Sequence, residues 1–178
     1  IHVVFDEVCE KANARGIRVT GSELVGLIPL KSMIEAGEYF LEKQQRSLGV
    51  SEAEIIKIAQ KTMGLDEISK FNPNEKIIEY VIANDNNPLC KMSLNEFLQE
   101  TASESPAPGG GSISAYCGAM GISLGTMVAN LSAHKRGWDN RWEEFSNWAE
   151  KGIEYRNTLL KLVDEDTNSF NKIMDAFR

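Results

Sequence analysis

Apolar side chains recur at intervals of three and four along most of the chain, the period of helices with one buried face. Residues 2–14 carry Val4, Val8, Cys9 and Ala12 on one side, and Gly16 follows as a stop signal. Residues 17–28 break the pattern. They are rich in Ile, Val and Leu around Gly21 and Gly26, read as a strand, and end at Pro29. Residues 30–46 return to the helical period through Leu30, Met33, Ile34, Phe40 and Leu41.

Ser51 followed by Glu54 has the form of a capping box. It opens a helix that should bury Ile55, Ile58, Ala59 and Met63 and stop at Gly64. Asn72-Pro73-Asn74-Glu75 places Asn at a cap and Pro at the first helical position, ahead of Ile77, Ile78, Val81 and Ile82. The polar run Asn84-Asp85-Asn86-Asn87-Pro88 then marks a linker, taken as residues 83–92.

Beyond it no strand-like run occurs. A second capping box, Ser93 with Glu96, starts a helix with Leu94, Phe97 and Leu98 on its apolar side. Pro106-Ala107-Pro108-Gly109-Gly110-Gly111-Ser112 interrupts the pattern, a long helix runs from about Ser112 to Ala133, and residues 139–163 and 164–178 again read helical. The expected architecture is an α/β piece over residues 1–82 and an all-α helical bundle over residues 93–178.

No charged side chain occurs from Ser105 to Ala133, which raises a membrane-spanning reading. Ser112, Ser114, Ser123, Thr126, Asn130 and Ser132 are polar for lipid, and the flanks lack an anchor pattern. A bundle helix fits better. Gly111, Ser114, Gly118, Gly121, Gly125, Ala129 and Ser132 form a small-residue stripe for close packing, and Ile113, Cys117, Met120, Leu124, Met127 and Leu131 a larger apolar one.

Composition narrows the class. Hydrophobic residues at 42% and charged residues at 25% are those of a soluble globular protein. A net charge of −7 argues against nucleic-acid binding, which needs clustered Lys and Arg. Cys9, Cys90 and Cys117 are odd in number and far apart, so neither a disulfide framework nor a zinc site is expected, and a reducing, cytoplasmic setting fits. With His2 and His134 as its two histidines, the chain offers no His-rich metal site. It opens at Ile1 without an initiator Met or signal-peptide pattern and reads as the interior of something larger.

Three segments could carry chemistry. Gly109-Gly110-Gly111-Ser112 lets a ligand approach backbone at a helix N-terminus, where N–H groups favour an anion or a polar ring edge. It is neither a Walker A loop nor a Rossmann fingerprint, and by composition alone it reads equally as a helix–helix connection. In Asp164-Glu165-Asp166, Asp164 and Asp166 diverge on a helix, so at most one faces a given site. Charge alone favours a solvated acidic surface there, and a general acid/base carboxylate is the functional reading. Lys135 and Arg136 follow the uncharged helix, where cations suit the helix dipole or could bind ligand carboxylates. Trp138, Trp142 and Trp148 beyond them read as core or interface aromatics.

Ser105-Pro-Ala-Pro-Gly-Gly-Gly-Ser112, the small-residue helix, and Leu162-Val163-Asp164-Glu165-Asp166 with Ser169-Phe170 closely resemble the start of the cyclodeaminase domain family, which also includes methenyltetrahydrofolate cyclohydrolases. Val19-Thr-Gly-Ser-Glu-Leu-Val-Gly-Leu-Ile-Pro-Leu-Lys31 and Glu75-Lys-Ile-Ile-Glu-Tyr80 resemble the C-terminal subdomain of formiminotransferases. Both in this order resemble the bifunctional formiminotransferase–cyclodeaminase family.

That resemblance implies a folate enzyme of histidine degradation. A formimino group passes from formiminoglutamate to N5 of tetrahydrofolate. Attack by N10 then closes the ring, giving 5,10-methenyltetrahydrofolate and ammonia, with no metal or redox cofactor required. It implies a catalytic carboxylate at Asp166 or Asp164, undecided between them. Gly109, Gly110, Gly111 and Ser112 become the folate-contacting loop, and Lys135 and Arg136 the partners of a polyglutamyl folate tail. It also implies self-association through both domains, a transferase histidine upstream of Ile1, a bundle continuing past Arg178, and hence an inactive isolated chain. A cyclohydrolase on the same bundle and a non-catalytic oligomerisation module are the competing readings.

Overall fold

The computed structural model describes residues 1–83 and 87–177. Asn84, Asp85 and Asn86 of the expected linker, and Arg178, lie outside the described residues.

In the first unit, α1 (His2–Asn13), α2 (Leu30–Lys43) and α3 (Glu52–Thr62) surround one core, followed by the short helices α4 (Pro73–Lys76) and α5 (Ile78–Ile82). Met33, Ala36 and Phe40 of α2 meet Ile56 and Ala59 of α3, with Met63, Phe71 and Ile77 closing the cluster. Local chemistry sets the boundaries. The Ser51 hydroxyl accepts from Glu54 N–H at the start of α3, and Gly64 ends that stretch at φ +62°. Asn72 caps α4, with Pro73 in the first turn. α1 is tied to α2 by Asp6, which accepts from Tyr39 Oη at 2.6 Å and Lys43 Nζ at 2.8 Å. Those bonds, Lys43 first, hold the Asp6 carboxyl below its ordinary range.

The α/β expectation for residues 1–82 is overturned: among the described residues there is no strand and no sheet. Residues 17–27 are not helical, as the β-branched pattern implies, but a strand also needs a partner ladder. Here Ser22 N–H reaches the Gly64 carbonyl at 3.1 Å, and Ile28 forms one isolated parallel bridge with Ile77. Val25, expected within the strand, is 88% exposed. The bridge also splits the helix expected after Asn72, because Ile77 is extended between α4 and α5.

The second unit begins with α6 (Pro88–Lys91), inside the expected linker, and α7 (Leu94–Thr101). α7 has the full reciprocal box: Glu96 N–H to Ser93 Oγ at 3.3 Å and Ser93 N–H to Glu96 Oε2 at 2.8 Å. Of its three apolar residues only Phe97 is buried, against Val163, Leu89 and Tyr116. The unit is dominated by α8 (Gly110–Ala133) and α9 (Trp142–Ala176), joined through a 3₁₀ turn at Asp139–Arg141. The two helices read as separate from sequence over 139–163 and 164–178 are one continuous helix as far as Ala176.

α8 and α9 run antiparallel. Gly111 lies beside Asp166, Gly118 beside Leu159, and Thr126 beside Gly152. The small-residue stripe therefore does pack, in part, against α9, while Gly121 and Gly125 face open space. The larger stripe is covered at Ile113, which packs beside Leu89, Phe97 and Val163, but is open further along, with Leu124 62% and Leu131 66% exposed. By length and composition α8 is long and apolar enough to cross a membrane.

Candidate active site

α8 starts on backbone alone, since its cap residue is Gly109, extended at φ −95° and ψ −168° and without a side chain to accept from the first turn. α9 supplies the missing acceptor. Asp166 Oδ2 lies 2.9 Å from Ser112 N and 3.1 Å from Ser112 Oγ. The Ser112 hydroxyl is fully buried and also lies 2.7 Å from the Val163 carbonyl oxygen. The Thr167 hydroxyl lies 3.1 Å from Ser112 Oγ as a further hydrogen-bond partner. Two groups of Ser112 on α8 thus hold one carboxylate of α9.

Glycine at 111 is required by this arrangement. A Cβ there would collide with the Asp166 carboxylate, whereas one at Gly109 or Gly110 would meet nothing within 4 Å. The N–H groups of Gly110 and Gly111 belong to the first helical turn, which has no intrahelical acceptors. Of the glycine run, Gly111 lines a cavity of about 530 Å³, and the helix start adds a partial positive charge beside it. Leu159, Leu162 and Ala115 give it apolar walls, and Glu165, Asp166, Ser114 and Ser169 give it polar ones. Asp166 stays open to solvent on the cavity side.

Asp164 has a different environment. It is 3% exposed, and its Oδ1 and Oδ2 accept from Leu89 N–H at 3.0 Å and Cys90 N–H at 3.3 Å. Both bonds go to the short helix α6, away from the cavity lining. Of the two candidate carboxylates, the geometry brings Asp166 to Gly111 and Ser112.

Lys135 and Arg136 follow the opposite end of α8. A helix of 24 residues is about 36 Å long at 1.5 Å per residue, so within one chain they do not join the glycine turn. Lys135 Nζ stands 4.3 Å over the Trp138 ring, which stacks on Phe145 at 5.3 Å. Glu165, Ser169 and Ser114 line the cavity, although the sequence gives none of them a site role. The signal was present, because residues 165, 166 and 169 share one face at spacings of three and four.

The class of the molecule follows from its two units, which match different families in sequence order. Residues 1–83 match the Formiminotransferase domain and residues 93–178 match Formiminotransferase-cyclodeaminase. Over its whole length the chain is 34% identical to the formimidoyltransferase-cyclodeaminase of Gallus gallus and 32% identical to that of Sus scrofa. It spans 33% of the length of each of those relatives. Over 85 residues, 48% of this chain and 41% of the relative, it is 34% identical to a methenyltetrahydrofolate cyclohydrolase of Methylorubrum extorquens. The chain belongs to the formiminotransferase-cyclodeaminase family.

Proposed function

We propose that the chain is the central stretch of a bifunctional folate enzyme of one-carbon metabolism, in which the cavity at the head of α8 closes the ring of 5-formiminotetrahydrofolate. The observation carrying this reading is the Asp166 carboxylate held against Ser112 at the edge of a glycine-opened cavity. In the proposed reaction N10 attacks the formimino carbon, Asp166 takes the N10 proton, and the same proton passes to the departing nitrogen, which leaves as ammonia. Carboxylate charge also favours the cationic amidine during attack. The free N–H groups of Gly110 and Gly111 suit polar edges of the pterin, and the apolar walls suit its ring faces.

The first unit belongs, on this reading, to the transferase that supplies the substrate from formiminoglutamate, within histidine degradation. Polyglutamylated tetrahydrofolate is the carrier, the location is cytoplasmic, and the enzyme self-associates. Replacing both Asp164 and Asp166 with Asn in the complete enzyme should abolish ammonia release from 5-formiminotetrahydrofolate. Retained ring closure would refute the assignment.

A cyclohydrolase activity at the same cavity is the second reading, favoured by the 85-residue similarity to the Methylorubrum extorquens protein. The match of residues 1–83 to a formiminotransferase domain supports the bifunctional reading instead. Ammonia release, as against simple hydrolysis of the methenyl bridge, separates the two.

A further inference from the structure

The turn between α2 and α3 carries polar groups that its own unit does not satisfy. Ser47 is 2% exposed, and its hydroxyl donates to Asn130 Oδ1 of α8 at 2.6 Å. Asn130 Nδ2 returns a bond to the Gly49 carbonyl at 2.7 Å, and Gly49 N–H donates to Ser47 Oγ at 3.2 Å, which closes a ring of three residues. Beside it, Leu48 N–H donates to Ser146 Oγ of α9 at 2.9 Å, and that hydroxyl donates to Glu150 Oε1 at 2.9 Å.

Gly49 shows that this contact is built rather than incidental. Its φ is not among the positive ones, so no local turn geometry calls for glycine. The demand comes from the other unit: a Cβ at Gly49 would collide with the side chain and backbone of Ala149, and would stand 2.6 Å from Glu150 N. Ala149 is itself fully buried. A small residue on α9 faces a glycine on the turn, backbone against backbone, with Asn130 and Ser146 placed to take the turn's hydrogen bonds. Buried polar groups left without such partners are costly, so the bonded arrangement disfavours a half-docked state.

From this fit we infer that residues 47–49 are a docking element for the α8–α9 hairpin, and that the two units recognise each other without needing the covalent link at residues 84–86. The partner this surface fits is the helical hairpin of the same sequence, from its own chain or from a second cut copy. The inference does not depend on either proposed reaction.

The test uses the full-length protein with a protease site inserted at residues 84–86. After complete cleavage, size-exclusion chromatography reads whether the halves co-elute. Wild-type halves should stay together, and two differently tagged cut preparations should exchange halves on mixing. Gly49→Leu, and separately Asn130→Leu, should cause at least a tenfold loss of co-elution after cleavage while each half keeps its helical circular dichroism. Asn130→Leu decides the matter if Gly49→Leu perturbs folding of the first half. Separation of the wild-type halves, or continued association in Asn130→Leu at the wild-type level, overturns the inference.

Discussion

Asp166 and Ser112 are joined twice, the carboxylate Oδ2 lying 2.9 Å from the serine amide nitrogen and 3.1 Å from its hydroxyl oxygen. One acidic residue thereby caps the long helix of the second unit and is aimed along its N-terminus. Two residues earlier on α9, Asp164 makes a similar pair of bonds to a different helix start.

The two carboxylates should separate on mutation. Asp166→Asn in the complete enzyme should lower the rate of ring closure by roughly 10²–10⁴-fold, the range for a lost general acid/base, with little change in substrate binding. Asp164→Asn should lower thermal stability, by about 1–3 kcal/mol for a buried acceptor pair compromised, and leave the rate per folded molecule within a few-fold of wild type. Steady-state ammonia release beside thermal melts reads both, and equal catalytic losses would remove the distinction.

Within the glycine run, the substitution that matters is set by space. Gly111→Ala drives a methyl into the Asp166 carboxylate, while Gly110→Ala points one into open volume. Gly111→Ala should therefore inactivate ring closure, and Gly110→Ala should fold and assemble normally. A bulky residue at 110 should block folate binding with assembly intact. Isothermal titration with tetrahydrofolate, beside the rate assay, distinguishes these results.

Gly152 offers a packing test away from the cavity. A Cβ there would collide with Thr126 Oγ1 across the α8–α9 seam, so Gly152→Ala should destabilise by about 1–3 kcal/mol, the usual cost of overpacking. Removing the oxygen with Thr126→Ala leaves the next atom, Thr126 Cβ, at 3.2 Å. The double variant should recover part of the loss, a coupling that melts of the four proteins in the cycle measure directly. Simple additivity would show that the two residues do not press on one another.

Acidity should strengthen the junction between the units. Glu38 is held above its ordinary value of 4.5, first by burial and then by the charges of Glu150, Glu42 and Glu35. A raised carboxyl binds its proton more tightly in the folded state. Its contribution is complete below that ordinary value and disappears as pH climbs through the raised one. Thermal midpoints of Glu38→Gln should fall less than those of wild type as pH rises from below 4.5 towards neutral, with Glu150→Gln intermediate. Identical pH profiles for all three proteins would contradict this.

The helical period and the two capping boxes located α1, α2, α3, α7 and α8 within a few residues, because those signals are local. Residues 17–28 were misread for a reason their side chains cannot carry. Ile17, Val19 and Val25 favour an extended chain, but a sheet exists only where another strand answers. Asp164 was ambiguous by charge alone, since its partners are backbone N–H groups of Leu89 and Cys90, far away in sequence. Lys135 and Arg136 lie a whole helix from the glycine turn, a distance the sequence does contain, because an unbroken helix between them is a ruler. The need for small size at Gly49 appears only when α9 lies against it.

The bonds from Leu89 and Cys90 to Asp164 have a mechanical effect. The chain enters the second unit through Pro88–Lys91, where Leu89 and Cys90 are tied to a side chain within one helical turn of Asp166. A shift of the entering segment must be absorbed at that anchor. The entering stretch of chain is therefore coupled mechanically to the helix turn that carries Asp166.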